Sequence, residues 1–320
     1  MLPASQILEA ERRIRPHIVE TAVHRSPAFS TASGAVVVVK AEHEQVTGSF
    51  KLRGAFNKLL TLPEDDRRRG VVAASSGNHG AAVAHACHVL GIKARVFVPE
   101  AASPAKVARI LAKGAQVVHF GTDGLDTEVE ARRVAVESGA CYVSPYNDVA
   151  VMAGQGTLAL ELLRQAGDLT RVYVAVGGGG LIGGMASYLA EFAPEVRVVG
   201  VLPEASPVMS VSVAAGHVVE MATSPTLSDG TAGGMEADSV TFEICRTLVH
   251  EWMTVSEEEI AAAMRQWAKY HPGEIEGAAG VAIAGCLRDA GRIDGARVAI
   301  VICGGNIAHE RWTAVTGQGG

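Results

Sequence analysis

Short, almost uninterrupted apolar runs rich in β-branched residues alternate along the chain with longer segments whose apolar positions recur at helical spacing. The runs predict strands at 35–40 (AVVVVK), 70–76 (GVVAASS), 94–99 (ARVFVP), 115–120 (AQVVHF) and 141–145 (CYVSP). Three more follow at 171–176 (RVYVAV), 196–202 (VRVVGVL) and 296–303 (ARVAIVIC). Strands apolar on both faces are buried on both faces, as in parallel sheets sandwiched between helices. Helices are predicted in the gaps. SPAKVARILAKGA offers Ser103 as N-cap and Pro104 at the first helical position, while SEEEIAAAMRQWAKYH puts acids at its start and bases near its end, matching the helix dipole. No repeat or low-complexity segment breaks the alternation, so the class is α/β with doubly wound sheets.

Composition narrows the partners. With 320 residues, 48% hydrophobic and 19% charged, the chain has enough apolar material for two lobes. A net charge of -6 with no basic face argues against nucleic acid or an anionic membrane as the main partner, leaving a small molecule. Cys87, Cys141, Cys245, Cys286 and Cys303 are odd in number and far apart, so neither a disulfide framework nor a zinc site is suggested. The N-terminus MLPASQILEAERRIRPH carries acids and lacks the apolar core of a signal peptide, and no apolar run approaches the ~18–20 residues of a membrane span. A cytoplasmic protein is expected.

Three glycine-bearing loops follow predicted strands: SSGNHG (75–80), VGGGGLIGG (176–184) and CGGNI (303–307). Ligands in open α/β sheets bind beyond the carboxyl ends of strands, so the three can share one crevice. Gly177 to Gly180, followed by Leu181, would present bare backbone N–H groups at a helix N-terminus, a cradle for phosphate. Taken alone, this loop has other readings. Gly178, Gly180 and Gly183 satisfy G-x-G-x-x-G, with Glu204 as a ribose-binding acid, and glycines also let a helix pack closely on a strand. A dinucleotide site would place its glycines in the first βαβ unit rather than past residue 175, and it has no need of the segment TGSFKLRGA. There Lys51 stands between an aromatic residue and an arginine just after a strand and a turn. An amine, a phosphate cradle, a polar loop for a carboxylate and a group for a ring nitrogen together suit an aldehyde cofactor with a single phosphate.

The order and spacing of KAEHEQVTGSFKLRGA, SSGNHGAAVAHA, AGQGT, GGGGLIGG, SDG and CGGN resemble the serine/threonine dehydratase branch of fold-type II pyridoxal-phosphate enzymes, which also contains serine racemases. The resemblance spans nearly the whole chain. It implies a two-lobe fold with parallel-rich sheets flanked by helices, residues 1–68 plus 148–320 forming a large cofactor-binding domain and 69–147 a small mobile one. It implies pyridoxal 5'-phosphate held as an imine by Lys51, whose released amine then takes the substrate's α-proton. Phe50 would pack on the ring, Asn78 would bond the 3'-oxygen, the amides of Gly177, Gly178, Gly179, Gly180 and Leu181 would hold the phosphate, and Cys303 would face the ring nitrogen. Ser75, Ser76, Gly77, Asn78 and His79 would clasp the substrate carboxylate.

Ser76 matches the serine that in racemases can protonate the opposite face of the α-carbon, whereas threonine dehydratases commonly have alanine there; a hydroxyl that merely supports the carboxylate loop is the other reading. Arg133 aligns loosely with a substrate-side arginine but also reads as a solvated helix residue. Leu202 and Val208 stand where metal-activated racemases carry acids, and Glu204 is shifted, so no metal is expected. Glu276 and Asp229 match positions lining the cofactor side, without an assigned role. The expected activity is an ammonia-lyase that removes water from a β-hydroxy amino acid, giving a 2-oxo acid and ammonia. The candidate substrates are threonine, serine, 3-hydroxyaspartate, phenylserine or a compound of hydroxyectoine catabolism. Racemisation is the enzymatic alternative and a low-turnover cofactor-binding protein the non-enzymatic one. A homodimer is expected, and so is the absence of feedback by isoleucine, since only a short tail follows CGGNI.

Overall fold

The computed structural model describes residues 2–122 and 124–317. Among these residues ten strands form two sheets. The six-stranded sheet is built from β1 (Val23–Arg25), β2 (Val36–Ala41), β7 (Arg171–Ala175), β8 (Arg197–Pro203), β9 (Glu251–Val255) and β10 (Arg297–Ile302), in the order β1-β2-β10-β7-β8-β9. The four-stranded sheet contains β3 (Val71–Ala74), β4 (Ala94–Val98), β5 (Gln116–His119) and β6 (Cys141–Tyr142), in the order β5-β4-β3-β6. Every pairing is parallel except β1 against β2. The non-sequential order means that helical crossovers cover the faces, the α/β arrangement expected from strands apolar on both sides.

β10 lies inside the large sheet, paired with β2 from Arg297↔Val36 to Ile302↔Ala41, and Val298 to Ile302 are fully buried. The central strands thus deliver Cys303 and Val176 to the same end of the sheet as the loop after β2. Local signals act as the sequence suggests around this frame. Ser256 and Glu259 form a reciprocal capping box on helix Glu257–Tyr270. Asp148 caps helix Val149–Ala166 by accepting from the amides of Ala150 and Val151 at 2.7 and 3.0 Å.

Some expectations change. Ser103 occupies the N-cap position of helix Pro104–Leu111, but its side chain accepts no bond from the helix. The strand expected over 70–76 stops at Ala74, and that expected over 141–145 at Tyr142, because β6 meets β3 only through Val71↔Cys141 and Val72↔Tyr142. Two edge strands, β1 and β9, add to the eight expected. Among the described residues no helix is long and apolar enough to cross a membrane.

Candidate active site

The segment preceding Lys51 is stitched to the loop after β10. Gly305 N donates to Gly48 O at 2.9 Å, Phe50 N donates to Cys303 O at 3.1 Å, and Ser49 forms an antiparallel bridge with Gly304. Gly48 sits at φ 73, and a Cβ there would stand 2.7 Å from Asn306 Oδ1, so both backbone angle and space call for glycine. Helix Lys51–Thr61 starts directly after this tie. Lys51 Nζ donates to the Pro145 carbonyl at 2.9 Å and lies 5.1 Å from the Phe50 ring centroid. Burial pulls its pKa down to about 8 against the partial opposition of Cys303 and Glu276, so a substantial neutral fraction exists near physiological pH.

Two residues on, Arg53 anchors the same helix. Its guanidinium donates to both oxygens of Glu42 at 2.8 Å and to the two oxygens of Glu161 at 2.8 and 2.7 Å. Lys40 Nζ donates to Glu161 at 2.6 Å, and Thr21 to Glu42 at 2.5 Å. Lys40, Glu42, Arg53 and Glu161 are all fully buried. Burial opposes ionisation of Glu161, but Arg53 and Lys40 outweigh it and hold the carboxyl at about 2. The network therefore locks β2, the turn after it, helix Lys51–Thr61 and helix Val149–Ala166 into one unit under the lysine.

The SSGNHG loop leaves β3 and enters helix Asn78–Leu90 at Gly77. Gly77 N donates to Ser75 Oγ at 3.1 Å, and a Cβ on Gly80 would lie 2.1 Å from Ser75 O, which forces the tight turn. Asn78 Nδ2 donates to the Glu276 carboxylate at 3.0 and 2.8 Å, and its Oδ1 accepts from Asn306 Nδ2 at 2.7 Å. His79 is buried with Nε2 2.8 Å from Val143 O, and desolvation pushes its pKa down to about 3. It is a neutral ring donating to that carbonyl, and it fastens the helix to the end of β6. The Cys303 thiol is buried, raised well above its usual pKa chiefly by desolvation, and lies 3.7 Å from Glu276 Oε1.

The four-glycine loop leaves β7 and opens helix Gly180–Phe192, with Gly179 at φ 84 as N-cap. A Cβ on Gly178 would stand 2.4 Å from the Tyr146 ring, one on Gly180 3.0 Å from Tyr146 Cα, and one on Gly177 3.1 Å from Thr231. Tyr146 follows the residue whose carbonyl receives the Lys51 bond, and its hydroxyl accepts from Glu236 N at 3.0 Å. The amides of Gly177 to Leu181 donate to no acceptor among the described residues, as at any helix start left for a ligand. Ser49 Oγ and Thr47 Oγ1, next to Lys51, are buried and likewise without a partner among the described residues. Orphan amides at a bare glycine turn fit a phosphate, and the half-buried amine beside an aromatic ring fits an aldehyde.

Lys51, Phe50, Asn78 and Cys303 thus meet around Glu276 and the CGGN loop, and the glycines lie behind Pro145 and Tyr146. Arg133 does not join them: it is exposed and pairs with Glu130 and Glu137 of its own helix. Glu204 is exposed, 3.8 Å from Arg288, so it offers the glycine loop no ribose-binding acid. Leu202 and Val208 are buried. Sequence reasoning missed Tyr146, Asn306 and the Arg53 network. It also missed that the predicted helix Pro104–Leu111 reaches across the crevice: Lys106 Nζ meets Asp229 at 2.9 Å and Arg109 donates to Asn306 Oδ1 at 2.8 Å. An open groove of about 830 Å³ between helices Pro27–Ser33 and Glu257–Tyr270 contains none of these residues.

Comparison with known proteins agrees with this geometry. The family model described as pyridoxal-phosphate dependent enzyme matches residues 14–304. The L-threonine ammonia-lyase of Thermotoga maritima is 40% identical over 307 residues, covering 96% of this chain and 76% of that protein. The catabolic L-threonine dehydratase TdcB of Escherichia coli is 37% identical over 315 residues, covering 97% and 95%. The solved structure of maize serine racemase has a TM-score of 0.92 at 30% identity, covering 98% of this chain and 96% of that one.

Proposed function

This chain belongs to the pyridoxal-phosphate-dependent enzymes, and from that premise we propose that it is an ammonia-lyase which eliminates water from a β-hydroxy amino acid, leaving a 2-oxo acid and ammonia. The observation that carries the reading is the half-buried Lys51 amine bonded to the Pro145 carbonyl, whose neighbour Tyr146 packs on a glycine turn with unused amides. Pyridoxal phosphate, when bound, supplies an electron-withdrawing ring that acidifies the α-C–H bond of an attached amino acid.

The chain's own groups divide the remaining work. Gly177 to Leu181 would anchor the phosphate through backbone N–H groups, at a fixed distance from Lys51. Lys51 Nζ would hold the aldehyde carbon and, when free, would act as base toward the α-proton; a pKa of about 8 makes it a competent base at neutral pH. The amides of Ser75 to His79 would orient the substrate carboxylate at the start of helix Asn78–Leu90. Phe50 would cover one ring face. Cys303, a neutral thiol, would face the ring nitrogen without forcing a proton onto it. The enamine set free then hydrolyses to the oxo acid.

Residues 69–147 would move as a small domain over the remainder. Three of the contacts that cross the crevice support this, being polar and partly exposed: Lys106–Asp229, Arg109–Asn306 and Arg132–Glu236. The homodimer expected from the resemblance and the cytoplasmic location expected from the sequence complete the reading and are tested by sedimentation and cell fractionation. A second reading, racemisation, is favoured by Ser76, whose hydroxyl has no partner among the described residues and so is available to the opposite face of the α-carbon. The experiment is 2-oxo acid release from a panel of threonine, serine, 3-hydroxyaspartate, phenylserine and hydroxylated diamino acids. Release from at least one supports the lyase. Inverted stereochemistry without release supports the racemase, and neither, with cofactor bound, leaves a binding protein.

A further inference from the structure

The glycine turn has a back as well as a front. Its amides are unclaimed among the described residues, but two of its carbonyls are held. Thr241 Oγ1 donates to Gly178 O at 2.7 Å, and Cys245 Sγ lies 3.8 Å from Gly179 O. Thr241 and Cys245 are fully buried and, four positions apart, share one face of helix Val240–Leu248. That face is pressed against the turn: a Cβ on Gly179 would stand 2.9 Å from Cys245 Sγ and 3.2 Å from Thr241 Cβ.

The two peptides differ in what holds them. Gly179 O accepts from Gly183 N at 2.8 Å, so the Gly179–Gly180 peptide is fixed by the first turn of helix Gly180–Phe192 itself. The Gly178–Gly179 peptide precedes that helix and has no such backbone bond among the described residues. Neither of its residues carries a Cβ, and Gly179, at φ 84 and ψ -2, has the angles of the third position of a type II turn. Such a peptide can flip to the type I arrangement at little cost. A trans peptide points its N–H and its C=O in opposite directions. Anchoring Gly178 O on helix Val240–Leu248 therefore turns Gly179 N–H away from that helix. The direction of the bond follows from counting protons: a carbonyl has none to give, so Thr241 donates. Ser239 Oγ, 2.7 Å from Thr241 Oγ1, then gives its own proton to Thr241 while accepting from Thr241 N at 3.4 Å.

We propose that Thr241 is a positioning residue for the phosphate cradle: its hydroxyl, backed by Ser239, holds the Gly178–Gly179 peptide in the orientation that turns the Gly179 N–H toward a bound phosphate. A run of glycines by itself offers its amides in either orientation. The hydroxyl on the neighbouring helix makes the cradle pre-formed, and an anion site gains affinity from that preorganisation. Tyr146 fills the space over Gly178, whereas Thr241 sets the rotation of the peptide beside it. The inference rests on the cofactor reading above.

The test is equilibrium titration of apoenzyme with pyridoxal 5'-phosphate and, in parallel, with pyridoxal, which lacks the phosphate. Thr241→Val keeps the shape of the side chain and removes the donor. It weakens capture of the phosphorylated compound by about tenfold or more and leaves pyridoxal affinity as in the wild type. Thr241→Ser keeps the hydroxyl and restores most of the loss. Equal weakening of both compounds, unchanged phosphate-dependent affinity in Thr241→Val, or a loss in Thr241→Ser as deep as in Thr241→Val overturns the proposal. A wild-type measurement covers the case in which Thr241→Val does not fold: inorganic phosphate added to apoenzyme shifts the Gly179 amide resonance, and a resonance that stays in place overturns the proposal. A wild type that captures neither compound contradicts the cofactor reading and takes this inference with it. Selective loss in Thr241→Val beside a silent oxo-acid assay sinks the proposed reaction and leaves this inference standing.

Discussion

Lys51 and Pro145 are 94 positions apart in the chain, and the lysine Nζ donates to the proline carbonyl at 2.9 Å. Tyr146, the next residue, covers Gly178 and Gly180. A single peptide step therefore joins the partner of the amine to the glycine turn, although the three segments leave different strands. This short link sets the separation of the proposed attachment point and the proposed phosphate cradle.

Cofactor capture by apoenzyme should follow the neutral fraction of Lys51. Desolvation lowers its pKa from 10.5 to about 8. The unprotonated amine is the nucleophile, so the rate of appearance of protein-bound absorbance rises with pH through about 8 and then levels off. A rate still climbing toward the pKa of an ordinary lysine would show that Lys51 is not desolvated.

Gly178→Ala inserts a methyl group where the Tyr146 ring stands 2.4 Å away. The clash falls at the base of the ring, so Tyr146 must shift as a whole, and the turn loses its close approach to a phosphate. Cofactor affinity should fall by a factor of ten or more, roughly 1.4 kcal/mol, in an equilibrium titration. Unchanged affinity would remove the glycine loop from the phosphate site.

The buried Arg53 network makes a stability prediction with a pH sign. Arg53→Lys keeps the charge but cannot serve two carboxylates with a planar fork, and it leaves buried carboxylate oxygens without donors, which costs about 1–3 kcal/mol in denaturant unfolding. Glu161 has a native pKa of about 2 against 4.5 ordinarily. Its contribution is therefore complete above 4.5 and is lost as pH falls from 4.5 through about 2. Glu161→Gln lowers stability at neutral pH and flattens the profile in that acid window. A loss that is constant across the window would contradict the assignment.

Much of this architecture can be read directly from the residues. AVVVVK and ARVAIVIC are apolar on both faces and become the paired, buried β2 and β10. The loops holding Lys51, Asn78, Gly177–Gly180 and Cys303 announce themselves as glycine-bearing segments after such strands. β1 and β9 do not, because a three-residue edge strand and the partly exposed EWMTV lack a doubly apolar pattern. Arg53 and Glu161 resemble surface charges until tertiary packing buries them together; the one cue is a glutamate inside the apolar run TLALELL. Tyr146 and Asn306 owe their positions to contacts far along the chain, which no local periodicity encodes.

Lys106 and Asp229 join across the crevice with side chains 30% and 46% exposed. Such a pair adds less than about 1 kcal/mol to stability. If residues 69–147 close over the substrate, Lys106→Met shifts Tm little and raises KM several-fold, as read by thermal unfolding and steady-state kinetics. Equal KM in variant and wild type would mean that the contact takes no part in closure.

The central claim is that Lys51 carries the cofactor, and borohydride reduction of the holoenzyme followed by peptide mass mapping tests it most directly. The account predicts a pyridoxyl mass on the peptide containing Lys51 and on no other. A pyridoxyl mass on Lys40, Lys58 or Lys106, or none on any peptide, would contradict it.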